Sequence, residues 1–111
     1  MNVYDSANVL AKELRETREF QLLKECKTKL AAEPDTENLV KEFMKQGQEI
    51  EIARYQGKEV PAATQEKLEK LQSTLQLNPL AVEYLNAFYR FNMMFQDISK
   101  TITNVVKEVL D

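Results

Sequence analysis

After Pro79 the chain contains no further glycine or proline up to Asp111, so nothing local ends a helix once it has begun there. Such a helix runs roughly 30 residues, on the order of 45 Å at 1.5 Å per residue. Asn78 and Pro79 suit its start, as an N-cap side chain followed by a residue whose missing N–H is harmless in the first turn. A rod of that length is awkward for a chain of 111 residues. Its far turns outreach what the other helices can cover, unless a second copy covers them.

The rod's own sequence agrees. Of the 16 residues from Leu80 to Phe95, only Glu83, Asn86, Arg90 and Asn92 are clearly polar. Set at about 100° per residue, the apolar positions fall on two faces. The broad one is Leu80, Tyr84, Ala87, Phe88, Phe91, Phe95, Ile98, Ile102, Val105 and Val109, expected to be the core face to the C-terminus. The second is Val82, Leu85, Tyr89 and Met93, and it stops where Gln96 and Lys100 take over that side. Either both faces meet helices of the same subunit, or the second meets another subunit or another protein. Methionine and tyrosine suit an interface, being adaptable and amphipathic. Val82, Leu85, Tyr89 and Met93 are therefore the expected interface.

Upstream, apolar residues keep helical spacing. Val3, Ala7, Leu10 and Leu14 mark a first short helix, and Thr17 can cap a second that carries Phe20, Leu23 and Leu30, with Cys26 or Lys27 at the intervening turn. Glu33-Pro34-Asp35 separates this from a third helix, capped by Asp35 or Thr36. Its seam is Leu39, Phe43, Gln46, Ile50 and Ala53, flanked by Val40, Met44 and Gly47, and it ends at Gly57. A fourth helix starts near Pro61 or Ala62 and carries Leu68, Leu71 and Leu75, with Glu66 and Lys70 as a surface pair. The expected fold is all-α, a bundle of four to five helices in one domain over residues 1–111, forming an intertwined or side-by-side homodimer. Short N-terminal helices span 3–32, a helical hairpin 36–76, and the long C-terminal helix 79–110.

Composition narrows the function. The chain has no histidine, which removes the commonest general base and metal ligand. Its formal charge of −3 argues against a surface built for phosphate backbones. The glutamates mostly alternate with lysines, as solvated helix faces do. Cys26, the one cysteine, lies among Lys24, Lys27 and Lys29. Nearby lysines can activate a thiol, although a half-buried structural cysteine is the simpler reading. The same lysines make a weak RNA-binding signal, with no aromatic residue interleaved. A thiol- or carboxylate-based enzyme and a weak RNA binder are thus the alternatives to a protein-interaction module. No catalytic, cofactor-binding or metal-ligating residue is expected, nor any cofactor. Met1 to Asp5 shows no secretory leader and no apolar run spans a bilayer, so a cytoplasmic protein is expected.

The arrangement resembles the YlbF/YmcA-like family of small helical bacterial proteins, which includes the YheA type. The resemblance rests on Tyr4-Asp5 with Ala7, Leu10 and Leu14, on Glu19-Phe20 with Leu23-Lys24, and on Leu39-Val40 with Glu42-Phe43. It continues through Gln56-Gly57-Lys58-Glu59-Val60, Asn78-Pro79-Leu80, Glu83-Tyr84-Leu85, Ala87, Arg90-Phe91 and Ile98, in order along essentially the whole chain. It implies an all-α dimer, a cytoplasmic regulator without enzymatic activity, in pathways of competence, biofilm formation and sporulation. Some members act in a complex that assists an endoribonuclease. Others carry a cysteine-rich C-terminal tail associated with iron–sulfur clusters. This chain ends at Val109-Leu110-Asp111, so cluster binding is not carried over. The implied partners are a second copy and an unidentified regulatory protein, with no membrane and no direct contact to nucleic acid.

Overall fold

The computed structural model describes residues 1–110 as five α-helices: α1 (Val3–Glu16), α2 (Arg18–Ala31), α3 (Pro34–Tyr55), α4 (Ala62–Gln76) and α5 (Pro79–Leu110). Each boundary has a local cause. Asn2 and Asp5 form a reciprocal capping box on α1, with the Asp5 amide 2.9 Å from the Asn2 side-chain oxygen. Thr17 ends one helix and begins the next. Its hydroxyl donates to the Leu14 carbonyl at 2.7 Å and accepts from the Phe20 amide at 3.1 Å. Gly57 takes φ 71° just beyond α3, the left-handed value that favours glycine. Asn78 caps α5 by accepting from the Ala81 amide at 3.1 Å, with Pro79 at the first helical position.

The start of α3 differs from the expectation. Neither Asp35 nor Thr36 caps it. Pro34 is already inside the helix behind Glu33, and no side chain caps the end. Proline's fixed φ makes it a first-turn residue, so the helix starts earlier than the acidic residue suggests. Thr36 is used elsewhere, accepting a hydrogen bond from the Asn78 side chain at 3.1 Å. That bond ties the start of α5 to the start of α3.

The core forms where α2, α3, α4 and the first turns of α5 meet. Leu30, Val40, Leu75 and Ala81 are its buried centre, surrounded by Phe43, Met44, Leu80, Tyr84 and Leu85. On α3 it is Val40 that is buried, while Leu39 is exposed. On α2 the intervening turn is filled by Cys26, and Lys27 points to solvent. Among the described residues Glu66 and Lys70 do not pair. Lys67 instead reaches Glu42 at 3.2 Å and clips α4 to α3. Gln46 donates to the same carboxylate at 3.0 Å, and these two bonds hold the Glu42 carboxyl below the ordinary range.

Much of the chain lies outside this core. α2 runs antiparallel along the first half of α5, with the Phe20 and Phe91 rings 5.9 Å apart and Cys26 beside Glu83. α1 contacts α2 alone and buries no residue. The broad stripe on α5 loses most of its cover beyond Phe91, where Ile98 alone stays half-buried. Phe95, Ile102, Val105 and Val109 are exposed, as is every residue from Thr101 to Leu110. The molecule measures 49 × 37 × 16 Å.

Candidate interaction surface

A groove of about 840 Å³ runs between α3 and α5. Helix α3 contributes Phe43, Met44 and Gly47, and α5 contributes Leu85, Phe88 and Tyr89. These residues share a groove because 3.6-residue periodicity brings positions three and four apart onto one face of each helix. Lys41, Lys45, Gln48, Glu51 and Asn92 form its rim. Gly47 leaves the floor open, since a methyl group added there would meet nothing within 4 Å. An apolar floor with a charged rim is the form of a surface that receives an amphipathic helix.

The structure divides the four expected interface residues. Val82 and Leu85 are half-buried. They line a smaller cleft of about 240 Å³ with Phe43, Gln72, Leu75 and Gln76, so their own subunit covers much of them. Tyr89 is 63% exposed and Met93 48%, so both present apolar surface to solvent. Leu85 belongs to both places, with one side toward the core and the other toward the groove. The contribution of α3 was missed in the sequence. Phe43, Met44 and Gly47 carry the signal, as apolar and small residues at adjacent helical positions.

The thiol is not set up for nucleophilic chemistry. Cys26 is 2% exposed and its sulfur lies 3.5 Å from a Glu83 carboxylate oxygen. Burial first, then the hydrogen bond and charge of Glu83, push its pKa up. Less thiolate and less access both oppose reaction. The cleft beside it, about 410 Å³, is lined by Arg18, Glu19, Leu22, Asn86, Ala87 and Arg90 with Glu83. The lysine cluster is also divided, because Lys29 pairs with Glu83 at 3.6 Å while Lys24 and Lys27 lie exposed on α2. Among the described residues no acidic or cysteine cluster is arranged to hold a metal ion, and no helix is long and apolar enough to cross a membrane.

A family model described as control of competence regulator ComK, YlbF/YmcA, matches residues 3–107. A UPF0342 protein of Caldicellulosiruptor saccharolyticus is 36% identical over 105 residues, covering 95% of this chain and 88% of its own length. One from Halothermothrix orenii is 32% identical over 102 residues, covering 92% of this chain and 86% of the relative. One from Streptococcus pneumoniae is 29% identical over 109 residues, with 98% and 97% covered.

Proposed function

The chain belongs to the YlbF/YmcA family of competence-control regulators, and from that premise we propose that it is a non-enzymatic regulatory adaptor. In this reading it is a cytoplasmic homodimer whose α3–α5 groove receives an amphipathic helix of a second regulatory protein. The observation that carries the proposal is Tyr89, 63% exposed on the wall of an apolar groove, with Met93 exposed one helical turn further along α5. Large exposed apolar side chains gathered at one groove mark interaction sites, and tyrosine and methionine adapt well to a partner's surface. The resemblance to YlbF-type regulators extends the proposal to competence, biofilm and sporulation pathways. An endoribonuclease-associated complex is one route.

Buried Cys26, with its raised pKa, gives no support to a thiol enzyme. The single strong test is affinity capture from the native host, with Tyr89→Glu as control. The expected result is a partner held by the native chain and lost by the variant at equal helicity. Helical content should hold because Tyr89 is mostly solvent-facing. A variant that unfolds assigns this face to the monomer core, and a variant that keeps the partner removes the groove from the mechanism.

A further inference from the structure

Two arms leave the same end of the molecule. One is α1, whose junction with α2 at Thr17 lies near the Arg90–Phe91 turn of α5, because Arg18 shares a cleft with Arg90 and the Phe20 ring packs tilted against that of Phe91. The other is the distal half of α5, beyond Phe91. The two do not touch each other. Each carries an apolar seam at coiled-coil spacing. On α1 it is Val3, Ala7, Leu10 and Leu14; on α5 it is Phe95, Ile98, Ile102, Val105 and Val109. The lengths also match. The 14 residues of α1 span about 21 Å, and the α5 seam from Phe95 to Val109 spans about the same at 1.5 Å per residue.

The surface shows how much is left uncovered. The accessible area is 8866 Å², against about 6,300 Å² for a compact monomer of this mass, an excess of about 2,500 Å². The radius of gyration is 17.5 Å, against about 13 Å for a compact chain of this length. Obligate homodimers remove about 1,000 to 2,500 Å² from each partner. The excess lies at the upper end of that range, enough surface for one such contact.

Resting on the homodimer named above, we propose that a second copy of this chain fills the fork, with α1 of each protomer lying along residues 95–109 of the other's α5. A two-fold axis makes this exchange reciprocal, so one symmetric contact covers both seams of both chains. Pairing the two α5 seams with each other would leave both α1 helices bare. The exchange leaves the α3–α5 groove free, so dimer and adaptor surfaces are separate.

The test uses the full chain with Cys26→Ser. Ala7→Cys and Ile102→Cys sit at the middles of the two seams, where they meet whichever way α1 runs. Under mild oxidation the double variant is expected to form a covalent dimer, while neither single variant does. An internally closed monomer, with α1 folded onto its own α5, overturns the proposal. A covalent dimer of the Ile102→Cys single variant also overturns it, since that reports α5 paired with α5. Solution mass separates this proposal from the broader reading. The native chain and Tyr89→Glu are expected at twice the chain mass, and Ile102→Glu at the chain mass with its helicity retained. A native chain at single mass ends both the fork and the homodimer. Dissociation by Tyr89→Glu but not by Ile102→Glu moves the dimer to the groove, ending the fork alone.

Discussion

Asn78 does the work of two residues. Its carbonyl oxygen caps α5 at the Ala81 amide and its amide nitrogen reaches Thr36 on α3, both at 3.1 Å. Asn78→Ala removes a cap, typically about 1 kcal/mol, and a part-buried hydrogen bond of about 0.5–1.5 kcal/mol. The expected loss is therefore about 2 kcal/mol in urea denaturation. Asn78→Ser, which keeps a capping oxygen but lacks the reach to Thr36, should lose about half of that. The cap was legible in the sequence and the cross-link to α3 was not, because a cap depends on neighbours in the chain and the cross-link on neighbours in space. Leu39 and Val40 make the same point. Both are apolar and adjacent, and only the positions of Leu30 and Leu75 decide that Val40 goes inside.

At the scale of elements, the breaks at Thr17, Pro34, Gly57 and Asn78 divide the chain as the residue chemistry implies. What stayed hidden is how far one helix covers another. The 14 residues of α2 cover about 21 Å, and the 32 residues of α5 run about 48 Å. The α5 stripe thus outlasts its cover, although its pattern continues unchanged. The groove makes a prediction of its own at Gly47. Because an added methyl meets nothing there, Gly47→Ala should stabilise α3 by about 0.5–1 kcal/mol through helix propensity. A partner helix seated against α3 would meet that methyl. Thermal unfolding should therefore show a gain while partner capture falls. A gain with capture unchanged would place the partner away from the α3 wall.

Among the described residues seven hydrophobic side chains are buried, Cys26 and two alanines included. Such a core gives a lone chain little stability, and association adds to it by mass action. The melting temperature should therefore fall on dilution, by several degrees over a hundredfold range, and Ile102→Glu should melt low at every concentration. Scanning calorimetry at two concentrations checks this, and a concentration-independent midpoint in the native chain would count against association.

The short dimension of the molecule, 16 Å, holds two layers of helices at the usual interaxial spacing of about 8–10 Å and no third. A plate that thin has no deep interior, so almost every side chain lies within one layer of water or of a neighbouring molecule. Whatever settles on either side becomes, in physical terms, the missing half of its core. Occupancy then adds to folding by mass action, and copies left without company are those most open to proteolysis.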